Sequence, residues 1–389
     1  MCGICGEIYW DGQLASETRL TPMLDAMQKR GPDDGGTWVQ DHVGLGHRRL
    51  SIIDLTHGGH QPMRDHELSL VFNGCIYNYQ SLKTELEGLG HMFVSSSDTE
   101  VILKSYRQWG MECVTHFEGM FAFAIWDDDT QQLLMARDRM GIKPLYYAPV
   151  VGGVRFASNT QALLTAEDID TEIDPVGLHH QLTLHAVIPA PFTILKGLRK
   201  LEPGHWMIVN PDGQIFKKRF WFLEAKRPIL KDNPSAPKNE QAWLDAIHQS
   251  LKDAVYKRLT AADVPVGVLL SGGLDSSLIV ALLHEAGVKN IKTFSIGFED
   301  APEEKGSEFE FSDLVAKRFN TDHKQYLIAN DQVLPRLHES VEAMAEPMVG
   351  QDAIAFYLLS EHVSKEVKVV MSGQGADEVF AGYFWYAKM

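Results

Sequence analysis

Cysteine is scarce in this chain. Four in 389 residues are too few for a disulfide framework and point to a reducing compartment. Basic charge is short as well: 36 lysines and arginines face 52 aspartates and glutamates, a formal net charge of −16. That balance argues against a nucleic acid or an anionic membrane as partner. No apolar stretch is long enough to span a bilayer and no signal-peptide pattern is visible, so a cytoplasmic protein is expected. Internal repeats and low-complexity tracts are also missing. What remains, 44% hydrophobic and 23% charged residues, is the composition of a soluble globular protein. The length exceeds one ordinary core, so two domains are expected.

The two halves read differently. Residues 1–210 carry short strand signals broken by glycine, such as CGEIYW, LSLVFNG, GMFAFAIWD and QLLMARDR, with helical stretches near 81–89 and 97–110. This is the pattern of an α+β domain built on antiparallel sheets. Residues 211–240 read as a linker, whose second part, KRPILKDNPSAPKNE, holds three prolines in fifteen residues. From 241 to 389, helices alternate with the apolar strands VPVGVLL, IKTFSIGF, HKQYLI and EVKVVM. That alternation predicts a parallel sheet with helices on both faces.

The sharpest motif lies in this second half. In VGVLLSGGLDSSLIVALL (266–283) an apolar strand runs through Leu270 into Ser271-Gly272-Gly273 and then directly into a helix. The glycines let backbone approach an anion, and Ser276, Ser277 and the free N–H groups of the helix start offer donors to phosphate oxygens. Asp275 suits a Mg²⁺ ion bridging those phosphates. A plain capped turn is the blander alternative. No Gly-Lys-Ser/Thr follows, so this is not a Walker loop. VVMSGQGADEVFAGY (369–383) repeats the device, with Ser372 and Gly373 followed by Asp377 and Glu378 as acidic groups facing Asp275. The alternative there is a helix start stabilised by acidic residues.

The opening MCGICGEIYW poses a separate question. Cys2 and Cys5 could be a dithiol, half a metal site, or one nucleophile and a bystander. On a strand they point to opposite faces, which disfavours the dithiol. Cys75 and Cys113 are isolated and HGGH (57–60) has no partner pair, which disfavours zinc. Removal of Met1 would give Cys2 both a thiol and an α-amine able to take the thiol proton. Cys5 is then a small buried hydrophobe.

These stretches, together with RGPDD (30–34), HRRLSIID (47–54), FNGCIYNY (72–79), SSDTEVIL (96–103) and RDRMGIKPLYY (137–147), resemble the class II glutamine amidotransferase domain. That domain is an N-terminal-nucleophile (Ntn) hydrolase sandwich. The SGGLDSS loop resembles that of N-type ATP pyrophosphatases, an adenine nucleotide alpha hydrolase-like α/β fold. In order and extent, the whole chain resembles the glutamine-hydrolysing asparagine synthetase family. The resemblance implies that Cys2 attacks the glutamine amide and that Asn73 and Gly74 form the oxyanion hole. It implies that Arg49 holds the glutamine carboxylate and Asp98 its α-ammonium. Read singly, Arg49 would be a surface ion pair and Asp98 a helix cap. Leu270, Ser271, Gly272, Gly273, Asp275, Ser276, Ser277, Ser372 and Gly373 would bind ATP and pyrophosphate, with Asp275 and Asp377 on Mg²⁺. Gln374, Asp377 and Glu378 would face the acceptor.

The implied reaction consumes glutamine, ATP and an acceptor carboxylate. Ammonia passes to the carboxylate after its adenylation, and AMP and pyrophosphate leave. Aspartate is the expected acceptor, and N-acetylglutaminylglutamine, the acceptor of a related subgroup, is the alternative. A homodimer is a candidate assembly. A non-catalytic glutamine- or nucleotide-binding relative is a remoter reading, separated from an enzyme by glutamate release. Three departures stand out. Cys75 replaces the glutamate of Asn-Gly-Glu-Ile-Tyr-Asn, which helps bind the α-ammonium. Gln374 replaces the first glutamate of Ser-Gly-Glu-Gly-Ala-Asp-Glu. The family's second domain continues past the position of Met389 and supplies a lysine there, so a fragment is expected.

Overall fold

A computed structural model describes residues 1–224, 237–300, 306–348 and 352–388. The chain divides into two compact units, Met1–Ala225 with Met344–Val349, and Lys226–Ala343 with Gly350–Met389. Among the described residues no helix is long and apolar enough to cross a membrane.

The first unit is built from β1 (Gly3–Tyr9), β2 (Asp34–Gln40), β3 (Val43–Arg49), β4 (Met63–Asp65), β5 (Leu68–Ile76), β6 (Gly119–Asp127), β7 (Gln132–Arg137), β8 (Tyr146–Val150), β9 (Gly153–Ala157), β10 (Arg199–Lys200), β11 (His205–Val209) and β12 (Ile215–Arg219). They form two six-stranded antiparallel sheets, ordered β10-β8-β9-β1-β3-β2 and β12-β11-β7-β6-β5-β4. Strand alternation decides how they pack. Ile4 and Ile8 of β1 and Val43 and Leu45 of β3 meet Val71, Ala122, Ala124, Trp126 and Met135 of the other sheet in one buried cluster. The sheets therefore lie face to face as a sandwich, and each fully buried Leu, Ile or Val there contributes about 1.5–3 kcal/mol. Cys5, between Ile4 and Ile8, points the other way. It joins Leu20, Met23, Leu24 and Met27 in and just beyond the helix Glu17–Asp25, which covers the outer face.

The sequence placed the end of this domain at residue 210 and a linker from 211 to 240. The sheet runs further, because β12 pairs along its length with β11. Its residues IFKKR are all exposed, so an edge strand without a buried face gave no alternation to read. Of the expected linker, residues 225–236 lie outside the described residues. Asn239 caps the helix Glu240–Thr260, its side chain accepting from the Ala242 N–H.

A second departure is the stretch Met344–Met348, which packs as part of the first unit. Lys200 Nζ lies 2.8 Å from Glu346 Oε2, and Tyr146 donates to Glu346 Oε1 at 2.7 Å. Thr160 Oγ1 donates to the Ala345 carbonyl and Gln161 Nε2 to that of Met344.

The second unit holds β13 (Val266–Leu269), β14 (Lys292–Phe298), β15 (Asp322–Ile328) and β16 (Val369–Met371), all parallel, in the order β15-β14-β13-β16. Val268, Leu270, Val280, Leu282, Leu283, Ile291 and Met371 fill its core. From β13 the chain steps outward through β14 and β15, then returns to place β16 on the opposite side of β13. The order reverses between β13 and β16, and ligands of open parallel sheets bind outside the carboxyl ends at such a reversal.

Candidate functional site

In the first unit the sandwich alternation brings several candidate residues to one region. By the pattern of β5, Asn73 and Cys75 share the interior face with Val71, and by that of β3, Arg49 shares it with Leu45. Cys2, in line with Ile4 and Ile8, precedes β1. Its sulfur accepts from the Leu50 N–H at 3.4 Å, and its carbonyl accepts from Arg30 Nε at 3.2 Å. Burial pushes the Cys2 thiol above its ordinary value, opposed by the Leu50 N–H, the α-amine and Lys143, while Asp98 raises it further. Burial lowers the Met1 α-amine to about 6, and Arg30 and Lys143 press in the same direction.

Arg49 is moulded into its place. Its guanidinium donates to the carbonyls of Thr56 (2.9 Å), Ile53 (3.2 Å) and Asp54. A side chain at Gly59 would collide with it, since a Cβ there would lie 1.9 Å from Nη2. Three of its five N–H donors are thus committed, and the remainder are available for a carboxylate. Asn73 is 1% exposed, and its Nδ2 is a buried donor without a partner. Such a group is costly unless something accepts from it. Gly74 is oriented by its neighbours. The N–H groups of Phe72 and Ile76 point away from β6, to Gln61 Oε1 (2.6 Å) and Asp98 Oδ2 (3.0 Å). The Gly74 N–H, midway between them on the same strand edge, faces the same way.

Asp98 opens the helix Asp98–Trp109, with Ser97 as its cap. Burial lifts its carboxyl to about 7, against the Ile76 and Thr99 N–H groups and Arg49. His47, also buried, is held neutral: burial drops it to about 3, against the Phe72 carbonyl that its Nε2 meets at 3.2 Å. The sequence did not single out Arg30, His47 or Lys143. Arg30 and Lys143 sit inside stretches already quoted, RGPDD and RDRMGIKPLYY, but a charged residue in a loop gives no sign that it will be buried.

In the second unit the two glycine loops touch. A Cβ on Gly373 would come within 2.7 Å of Asp275 Cβ and 2.9 Å of the Ser276 nitrogen. Gly272 takes φ +90° with its Cα against the backbone of Phe311 and Ser312, a position closed to other residues by conformation and space alike. Ser276 Oγ donates to the Gly273 carbonyl (3.2 Å) and lies 3.0 Å from Ser271 Oγ. Ser277 Oγ, one residue on, is buried without a partner. It is the orphan polar atom at the start of the helix Leu274–Glu285. Leu270 packs in the core, its N–H on the Phe294 carbonyl. Ser372 and Gln374 are exposed, and Glu378 accepts from Tyr383 at 3.0 Å.

Among the described residues no three His, Cys, Asp or Glu side chains converge as a metal cage. A Mg²⁺ ion at these loops would have to be held in its habitual mode, by one or two carboxylates with the rest of the shell from phosphate and water. In the HGGH stretch the two imidazoles lie together. His60 Nδ1 meets Asp34 Oδ2 at 2.7 Å and its ring stacks on His57 at 4.7 Å.

Residues 1–221 match the family model described as a glutamine amidotransferase domain, and residues 246–389 match that described as asparagine synthase. The chain is 37% identical to asparagine synthetase [glutamine-hydrolyzing] 1 of Bacillus subtilis (strain 168), over 99% of this chain and 59% of that one. It is 33% identical to asparagine synthetase [glutamine-hydrolyzing] 3 of the same strain, over 99% and 64%. A chain of Methanocaldococcus jannaschii, provisionally named as a second glutamine-hydrolysing asparagine synthetase, is 36% identical over 98% of this chain and 76% of that one. Among solved structures, glutamine phosphoribosylpyrophosphate amidotransferase from B. subtilis, complexed with ADP and GMP, overlaps with a TM-score of 0.45 at 16% identity, covering 84% of this chain and 91% of that one. The chain thus spans about 60% of the length of the two Bacillus relatives. With both family models matched in order, and with relatives at this identity along nearly all of its length, the chain belongs to the glutamine-hydrolysing asparagine synthetase family.

Proposed function

We propose that this chain hydrolyses glutamine in its first unit and uses ATP in its second to make an amide. One observation carries the reading: Cys2, Arg49 and the unpartnered amide nitrogen of Asn73 occupy inward-facing positions of the sandwich strands, and Asp98 lies against the edge of β5 beside them. With Met1 removed, the Cys2 α-amine takes the thiol proton and the sulfur attacks the glutamine side-chain carbonyl. The oxyanion is met by Asn73 Nδ2 and the Gly74 N–H. Collapse returns the proton to the leaving nitrogen as ammonia and leaves a glutamyl thioester, which water converts to glutamate. Arg49 pairs with the substrate carboxylate and Asp98 with its ammonium.

In the second unit Gly272, Gly273, Ser276, Ser277 and Gly373 would cradle the pyrophosphate of ATP, and Asp275 and Asp377 would hold Mg²⁺, whose charge offsets that of the phosphates. The acceptor carboxylate attacks the α-phosphorus and pyrophosphate departs. Ammonia then displaces AMP. Aspartate is the proposed acceptor. Gln374 supports a second reading, N-acetylglutaminylglutamine, because an N-acetylated dipeptide has no α-ammonium and suits a neutral amide better than a carboxylate.

The test uses the full-length protein. Cys2→Ala should abolish glutamate release while ammonia-driven synthesis continues, and Asn73→Ala should lower kcat about 10²–10³-fold. Cys5→Ala should leave hydrolysis intact. Glutamate release that persists in Cys2→Ala would overturn the assignment, as would ADP and orthophosphate as products. Competition between the two acceptors decides between them.

A further inference from the structure

Lys143 is a buried cation that the proposed chemistry does not use. It follows β7 in a tight loop organised by Asp138, whose carboxylate accepts the N–H groups of Phe121, Met140, Ile142 and Lys143 itself. That carboxylate is filled by backbone donors. No ion pair reaches the Lys143 ammonium among the described residues, and its hydrogen-bond partner there is Met1 Sδ at 3.2 Å. The residue is 5% exposed. A thioether is a poor acceptor, and an ammonium buried against one is costly unless an anion comes near.

The charged and titratable groups around it come from every neighbouring element. Lys143 feels Cys2, Arg30, Cys75 and Asp138. The Met1 amine feels Cys2, Arg30, Lys143 and Asp33. Arg30, whose Nη2 is buried without a partner, feels Cys2 and Tyr146, and Cys2 also feels Asp98. Buried Lys143 and half-buried Arg30 thus press on one sulfur and one amine. Position 75, where a carboxylate would neutralise Lys143, holds a cysteine.

We propose that Lys143 is a positioning residue for the nucleophile: its buried ammonium, seated 3.2 Å from the sulfur of the residue that precedes Cys2, favours the anionic Cys2 sulfur and the unprotonated α-amine over their protonated forms. The inference rests on the reading of Cys2 as nucleophile. Removing Met1 takes away the thioether contact and leaves the ammonium beside the new terminal residue. Lys143 gains and loses no proton in the reaction. It favours the anionic sulfur and disfavours the protonated amine, so both become competent at a lower pH than they would alone.

The test compares the Met1-processed full chain with Lys143→Met, which keeps the bulk, and Lys143→Arg, which keeps the charge. Cys2 alkylation by iodoacetamide is followed against pH by peptide mass spectrometry, alongside glutamate release. Lys143→Met should move the alkylation midpoint and the acid limb of glutamine kcat/KM up by about one pH unit, and Lys143→Arg should restore both. If Lys143→Met fails to fold, Cys75→Glu carries the test: a carboxylate beside the ammonium should raise the alkylation midpoint with the lysine in place. A folded Lys143→Met, or failing that a Cys75→Glu, whose profile overlays the parent overturns the inference and leaves Cys2 as nucleophile. Glutamine hydrolysis by Cys2→Ala would instead remove the reading on which it rests.

Discussion

Glutamine binding should fail on the acid side of neutrality, and Asp98 is the reason. Burial lifts its carboxyl to about 7, yet the role proposed for it, pairing with the substrate ammonium, requires the ionised form. Only about 9% of the sites are ionised at pH 6, so binding there should be about 11-fold weaker than its limit, a penalty of about 1.4 kcal/mol. At pH 8 the weakening falls to about 1.1-fold. Binding must therefore release about 0.9 proton at pH 6 and about 0.1 at pH 8. Calorimetry on Cys2→Ala, which binds without turning over, measures this directly when titrations are repeated in buffers of different ionisation enthalpy. Asp98→Asn is the control. It should bind weakly at every pH and lose this proton release, separating Asp98 from the α-amine. A dissociation constant flat from pH 5.5 to 8, with no proton release at pH 6, would refute the argument.

Two further outcomes follow from packing. Gly373→Ala should impair ATP use and spare glutaminase activity, because the added methyl would meet Asp275 and the Ser276 nitrogen. Unchanged ATP cleavage in this variant would refute the contact between the two loops. Glu346→Gln should destabilise the first unit by about 2–3 kcal/mol, leaving Lys200 and Tyr146 without their shared carboxylate. Thermal unfolding should then begin roughly 5–10 °C lower, and a melting curve identical to the parent's would count against the pairing.

The glycine loops and the alternating strands were legible because their determinants are local. A strand entering Ser-Gly-Gly before a helix calls for a tight turn, which Gly272 makes at φ +90°, and the opposed faces of Cys2 and Cys5 follow from the period of a strand. Ile4 and Ile8 declare the buried face of β1 in the sequence itself. What stayed hidden depends on distance. Nothing near Glu346 signals that its partners are Tyr146 and Lys200, 200 and 146 residues away. The strand Ile215–Arg219, exposed throughout, exists because β11 offers it an edge. Lys143 and Arg30 read as solvated loop charges, since their burial is decided by strands that arrive from elsewhere.

The stitched segment around Glu346 bears on how this protein is made. Glu346 follows the last strand of its unit, which ends at Arg219, by 346 − 219 = 127 residues. At about 5–20 residues per second, a ribosome needs roughly 6–25 s to cover that distance. For that interval the nascent sandwich carries Lys200 and Tyr146 uncapped, and the intervening chain must emerge before the first unit can close over them. Cutting the gene between the two family matches would make that waiting state permanent, so the boundary between the matched domains is a poor place to divide the molecule.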